Sequence, residues 1–223
     1  MNILFDLDGT LTDPFLGITN CIMYALTELG RPSSRAVDLR WCIGPPLKKS
    51  FLVLLDSDDN DLAEKALAKY RERFGTIGLF ENELYPEIPQ VLDELSRTGH
   101  KLFVATSKPW IYAEKIIEHF GLTTYFQKVY GSELDGTRSD KTALISHLLR
   151  QESIAPSNAV MIGDRRHDMI GAKENGIASI GVLWGYGTRD ELAEFDADIC
   201  ISLPKDLAGA INKLAIKSMQ PHL

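Results

Sequence analysis

Asn2-Ile3-Leu4-Phe5-Asp6-Leu7-Asp8-Gly9-Thr10 is the stretch that decides the fold. Its first four residues read as a short strand buried on both faces. Two carboxylates follow at once, then Gly-Thr. A buried strand running into Asp-x-Asp carries both acids to the carboxyl edge of a sheet, where open α/β sheets bind ligands. Two acids so close repel each other unless a cation or a shared proton lies between them. The stretch therefore predicts a divalent-metal site with one acid left for chemistry. Asp-Gly is also a common turn pair, so the rest of the chain has to separate a site from a plain strand-ending loop.

Outward from this strand, the pattern alternates from about residue 84. Pro86 opens a helix with Ile88, Val91, Leu92 and Leu95 at helical spacing, closed by Gly99. Lys101-Leu102-Phe103-Val104-Ala105 is a buried strand ending in Thr106-Ser107-Lys108. A helix from Trp110 to Phe120, a short strand at Val129-Tyr130 and a helix capped by Asp140 come next. Ala159-Val160-Met161-Ile162 is an apolar strand ending in Gly163-Asp164. A helix to Asn175, strands at 180–183 and 198–201 and a C-terminal helix to about Lys217 complete the series. Short apolar strands alternating with helices predict an α/β fold, a Rossmann-like, doubly wound parallel sheet covered on both faces.

Residues 14–80 break this rhythm. Phe15, Ile18, Ile22, Met23, Leu26 and Leu29 form one helical stripe, and helical patterns recur at 35–42, 47–55 and 61–74. The expected organisation is an α/β core of residues 1–13 and 81–223 with an inserted all-helical cap of residues 14–80. Inserted just after Asp8, it reads as a lid over the site. The acidic run at 56–61 fails as a calcium loop, because Asp61 stands where glycine is needed and Leu67 where the closing acid is needed. It reads as an inter-helix turn with Asp61 as helix cap.

Composition narrows the function. The 223 residues suffice for a full core, and the net charge of −7 argues against a nucleic-acid partner. A small anionic substrate needs only local positive charge. Cys21, Cys42 and Cys200 are far apart and form no Cys-x-x-Cys pair, which fits structural thiols in a reducing compartment. With no signal-peptide pattern and no segment of membrane-spanning length, a cytoplasmic protein without a membrane partner is expected.

Further strand ends and turns carry polar groups suited to phosphate and metal: Thr106-Ser107 after one strand, Lys141 in a first helical turn where the dipole is positive, and Gly163-Asp164 with Asp168 four residues on. Each alone is weak; their recurrence around one sheet edge is the signal.

Asp6-x-Asp8-Gly9-Thr10, then Thr106, Lys141 and Gly163-Asp164-x-x-x-Asp168, in this order, resembles the haloacid dehalogenase superfamily over nearly the whole chain. The helical insert is similar to the first cap class of that family. Gly44-Pro45-Pro46-Leu47 and Asp135-Gly136-Thr137-Arg138 look most like its phosphoglycolate phosphatase branch. The resemblance implies a Mg²⁺-dependent phosphatase acting on a small phosphorylated metabolite. Asp6 would be the nucleophile that forms an aspartyl-phosphate, and Asp8 the acid/base. A dehalogenase proper lacks that second aspartate. Mg²⁺ would be held by Asp6, Asp164 and the carbonyl of Asp8; Thr106 and Lys141 would bind the phosphoryl oxygens; Asp168 would fix Lys141 or a water on the metal. Where many relatives have Pro after the motif lysine, this chain has Thr142. Lys108 is the rival to Lys141, which the family position favours.

Substrate choice would fall to the cap, with Arg40 and Lys48 as candidate anion-binding residues beside Ser107 of the core. A substrate like 2-phosphoglycolate is expected first. A 5′-nucleotidase would need an aromatic platform, for which Trp41 and Trp110 are candidates although both read as core. A phosphomutase similar to β-phosphoglucomutase uses the same two aspartates. A non-catalytic phosphate-binding protein and a receiver domain are the rivals of other classes; the intact motifs speak against the first and their order against the second. Monomer and dimer both stay open.

Overall fold

The computed structural model describes residues 1–31 and 38–219, which pack as two compact units. One comprises Met1–Thr12 with Leu84–Leu223, the other Asp13–Glu83.

The first unit is built on strand β1, Asn2–Phe5. Its chain leads through the ribbon strands β2 (Thr12–Asp13) and β3 (Glu83–Leu84), which pair with each other. The second unit, threaded between these two strands, contributes helices α1 (Phe15–Glu28), α2 (Leu47–Leu54) and α3 (Asn60–Phe74). There follow α4 (Ile88–Arg97), β4 (Lys101–Pro109), α5 (Trp110–His119), β5 (Phe126–Ser132), α6 (Lys141–Gln151) and β6 (Ala159–Gly163). Then come α7 (Arg166–Glu174), β7 (Ala178–Val182), α8 (Arg189–Glu194), β8 (Ile199–Ile201) and α9 (Leu207–Met219).

Six strands form one sheet in the order β5-β4-β1-β6-β7-β8, and each neighbouring pair is parallel. From β1 the chain builds outward through β4 to β5, then returns to β6 on the other side. Right-handed crossovers place the helices of the outward and return journeys on opposite faces. The central strands β1 and β6 are accordingly apolar in their middles: Ile3, Leu4, Phe5, Val160, Met161 and Ile162 are fully buried. One face of the sheet closes over Leu4, Phe103, Ala105 and Met161 with Leu144, Ile145, Leu148 and Ala172 of α6 and α7. The reversal of direction at β1 leaves a crevice at the carboxyl ends of β1, β4 and β6, the usual ligand position in such sheets.

In the second unit α1 meets the turn at Gly78 backbone to backbone: a Cβ on Gly17 would lie 2.0 Å from the Gly78 carbonyl oxygen. Arg73 grips Glu81 at both carboxylate oxygens, 2.6 and 2.8 Å away.

Several local expectations shift. β4 continues through Thr106-Ser107-Lys108 to Pro109, with an irregular register against β5. β5 is longer than the two residues foreseen. Asp59, not Asp61, caps α3, accepting from the amides of Asp61 and Leu62; Asp61 lies inside the first turn, where its charge still suits the helix dipole. The helical pattern at 35–42 lies partly outside the described residues, and its remainder forms one 3-10 turn, Arg40–Cys42. Trp41 and Trp110 are not core residues; each is 39% exposed. No described helix is long and apolar enough to cross a membrane.

Candidate active site

Asp6 follows β1 directly, alongside the segment of β4 that carries Ala105 and Thr106. The Asp6 side chain is turned back by its neighbour: Oδ1 accepts the Leu7 amide at 2.7 Å. Lys141, the first residue of α6, is almost completely buried, and its Nζ lies 3.1 Å from Asp6 Oδ1, 2.8 Å from Asp168 Oδ1 and 2.9 Å from the Ala105 carbonyl oxygen. An ammonium has three N–H groups, so the three acceptors match its capacity. Burial alone would drive the proton off Lys141, but Asp168 and Asp6 outweigh it and hold the pKa above the ordinary lysine value.

Asp8 has a lysine of its own. Lys108 Nζ lies 2.7 Å from Asp8 Oδ1, with both side chains largely buried. Burial raises the Asp8 pKa, and Lys108 works against that rise without cancelling it. The Lys108 amide is held by Thr106 Oγ1 at 3.3 Å, and Thr106 is itself buried. Lys108 thus pairs with Asp8, while Lys141 pairs with Asp6 and Asp168. The extension of β4 to Pro109 carries Lys108 there, and the sequence holds no periodic signal for that extension.

Asp164 and Asp168 end the constellation. Both are fully buried. Asp168 is the third residue of α7, and its Oδ2 accepts the Arg165 amide at the helix start; burial pushes its pKa up to about 6 against the pull of Lys141. Asp164 Oδ2 accepts the Tyr186 amide at 2.8 Å, while Oδ1 has no hydrogen-bond partner among the described residues. Burial and the charges of Asp168 and Asp6 raise its pKa well above the usual carboxylate range. Oxygens of Asp6, Asp164 and Asp168 all lie within 4.8 Å of one another. Three buried acids with an orphaned oxygen are a donor set for a hard divalent cation. Gly9 keeps this cradle open: at φ +81° it turns the chain, and a Cβ there would lie 2.2 Å from Asp164 Oδ2.

The remaining candidates have contacts of their own. The Ser107 carbonyl accepts from Ser132 Oγ at 2.9 Å. Arg40 and Lys48 belong to the second unit and are engaged locally, Arg40 with Asp38 at 3.6 Å and over the Phe15 ring, Lys48 with Glu64 at 2.8 Å. The segment Trp184-Gly185-Tyr186-Gly187, absent from the sequence-based list, lies against Asp164 and the Gly9-Thr10 backbone. Its only sequence signal is a Gly-x-Gly just after a strand.

Likeness to known proteins agrees with this geometry. A family model described as haloacid dehalogenase-like hydrolase matches residues 3–182. A 5′-nucleotidase of Pseudomonas aeruginosa is 49% identical over 191 residues, 86% of this chain and 86% of that protein. Tyrosine-protein kinase PtkA of Mycobacterium tuberculosis is 36% identical over 84% of this chain, which spans 64% of PtkA. A phosphoglycolate phosphatase of Vibrio parahaemolyticus is 28% identical over 88% of this chain and 89% of its own. The crystal structure of a predicted phosphatase from Clostridium acetobutylicum superposes with a TM-score of 0.90 at 39% identity, covering 95% of this chain and 98% of that one. With the acids, lysines and sheet order in place, the chain belongs to the haloacid dehalogenase-like hydrolases and is a phosphoric monoester hydrolase of that family.

Proposed function

We propose that the protein is a Mg²⁺-dependent phosphatase acting on nucleoside 5′-monophosphates through an aspartyl-phosphate. The observation that carries the chemistry is the division of charge: Asp6 is paired with Lys141, Asp8 with Lys108. Asp6 has a buried ammonium beside its carboxylate, while Asp8, its pKa raised by burial, is suited to hold a proton.

In the first step Asp6 attacks phosphorus in line, and the bond to the ester oxygen breaks. Asp8 delivers its proton to that departing oxygen. In the second step the Asp8 carboxylate takes a proton from water as the water oxygen attacks the aspartyl-phosphate, returning Asp6 and releasing phosphate. Lys141, 3.1 Å from Asp6, stabilises the nucleophile and the charge that develops beside it. Because its three N–H groups have protein acceptors, a phosphoryl oxygen shares one of them and does not take up a spare. Thr106 lies at the same strand end as a phosphoryl-oxygen ligand, and Asp168 fixes the Lys141 ammonium. Mg²⁺ would be held by Asp6, Asp164 and the Asp8 carbonyl, and it supplies the positive charge that lets an anionic nucleophile meet a phosphate dianion.

The 5′-nucleotidase that is 49% identical supports a nucleotide as the substrate class. Trp110 adds to this: it stands two residues after Lys108, 39% exposed, with its indole N–H held by Glu133 Oε2 at 2.9 Å. A fixed, open indole is suited to stack a base. Phosphoglycolate, expected first from the sequence, is the second reading and is favoured by the lower-identity relatives.

The test is phosphate release from AMP, UMP, 2-phosphoglycolate and p-nitrophenyl phosphate, each with Mg²⁺ and with EDTA. The expected order places a nucleotide highest in kcat/KM, with EDTA abolishing every rate and Mg²⁺ restoring it. In W110A the KM for the nucleotide rises about tenfold, in line with base–aromatic stacking of roughly 1–3 kcal/mol, while p-nitrophenyl phosphate is affected less. Phosphoglycolate turned over best would overturn the substrate assignment, and chelator-resistant hydrolysis the metal.

A further inference from the structure

We propose that Trp184-Gly185-Tyr186-Gly187 is the positioning device for the Asp164 metal ligand, fixing both how that carboxylate is turned and how far it stands from the Asp6 loop. The inference rests on the reading of the Asp6–Asp164 cluster as a Mg²⁺ site.

Three contacts make the case. The Tyr186 amide donates to Asp164 Oδ2 at 2.8 Å, and Asp164 Oδ1 has no hydrogen-bond partner among the described residues. That hydrogen bond fixes the carboxylate plane, so the oxygen on offer to a cation is selected by backbone and not by rotamer chance. Gly185 and Gly187 let this backbone come close enough. A Cβ on Gly185 would stand 2.2 Å from the Gly9 carbonyl oxygen and 2.5 Å from Asp164 Oδ2. On Gly187 it would stand 1.8 Å from the Asp164 carbonyl oxygen. Neither neighbour can give way, since one is the turn that follows the nucleophile and the other is the end of β6.

Trp184 completes the strut. Its indole Nε1 donates to the Thr10 carbonyl oxygen at 3.0 Å. The segment therefore holds the β1 loop at one point and the end of β6 at another. Those two chain segments carry Asp6 and Asp164, the side chains that would share the cation. Groups that orient a metal ligand without touching the metal commonly govern its affinity, and their loss weakens binding by about 10- to 100-fold. None of these four residues touches the reacting atoms; they act through Asp164.

The test reads the metal itself, without substrate. Mg²⁺ binding is measured by calorimetry on the full chain, wild type against W184F and G185A, with urea unfolding of each metal-free protein alongside. W184F keeps an aromatic ring, removes the donor and leaves a smaller side chain, whose packing cost the urea midpoint reads. The expected result is a Mg²⁺ Kd weakened about tenfold in W184F and further in G185A, with W184F as folded as wild type by circular dichroism. A merely structural role would lower the urea midpoint of W184F and leave its Mg²⁺ Kd unchanged, and that result overturns the proposal. A wild type that takes up no Mg²⁺ overturns the metal reading beneath it, so the two failures are told apart by the wild-type titration.

Discussion

Lys108 Nζ sits 2.7 Å from Asp8 Oδ1, an ion pair joining the end of β4 to the loop after β1. Burial raises the Asp8 pKa and Lys108 restrains the rise. In K108M the restraint is gone, so the carboxyl holds its proton to higher pH. The first chemical step needs Asp8 protonated, and kcat/KM reports the free enzyme. The alkaline limb of that profile is therefore expected to move up by about one unit, the equivalent of roughly 1.4 kcal/mol. A limb that stays in place, with activity intact, would show that Asp8 is not the proton donor.

Asp6→Asn removes the proposed nucleophile and weakens one proposed Mg²⁺ ligand while keeping the side chain's shape. Lys141 keeps Asp168 and the Ala105 carbonyl as partners, so the ammonium is not stranded. The expected outcome is a loss of kcat of at least about a thousandfold, as for other removed nucleophiles. Thermal unfolding should stay close to wild type, and no phosphoenzyme should be trapped by acid quench. Substantial turnover by D6N would end the covalent mechanism.

The acid cluster gives the metal-free protein an unusual pH response. Asp168, raised to about 6 from an ordinary 3.8, and Asp164, raised well above it, bind protons more tightly folded than unfolded. Their contribution is fully present below about pH 4 and is lost as pH rises through the folded values. In EDTA the protein should thus lose stability as pH rises from about 4 through about 6. Saturating Mg²⁺ should flatten that slope, because the cation replaces the protons. Melting curves at three pH values across that range, with and without Mg²⁺, check both signs; an EDTA profile that rises with pH there would contradict the cluster's electrostatics.

In the second unit the Arg73–Glu81 pair behaves oppositely. Arg73 holds the Glu81 pKa below its ordinary 4.5. The pair stabilises above that value and its contribution disappears as pH falls through the lowered folded pKa. E81Q should cost about 1 kcal/mol at pH 7, the scale of a two-pronged, half-buried pair, and less at pH 3. Urea midpoints at the two pH values give the comparison.

What the sequence showed was what local pattern encodes. Asn2–Phe5 and Ala159–Ile162 are unbroken apolar runs, so the strands and the acids at their ends were legible, and Asp140 was recognisable as a cap. Positions set by distant backbone were not. Lys108 could not be assigned to Asp8 because that pairing depends on β4 running three residues past its apolar stretch. Trp184 reaches Thr10 across nearly the whole chain, a contact no window of sequence contains. Trp41 and Trp110 fitted helical stripes yet are half exposed, because the stripe shows which residues share a face and not whether that face is covered.

The Lys141 ammonium binds groups from β1, β4 and α7 while sitting on α6. Those segments meet only when Asn2 has paired with Lys101 on one side and Ala159 on the other. Such long-range pairings close late in folding. During synthesis the nucleophile emerges first, but its lysine partner and the aspartate behind that lysine emerge far later. On the proposed mechanism, hydrolysis therefore awaits the release of residue 168 and the closing of the sheet, and Asp6 waits with it.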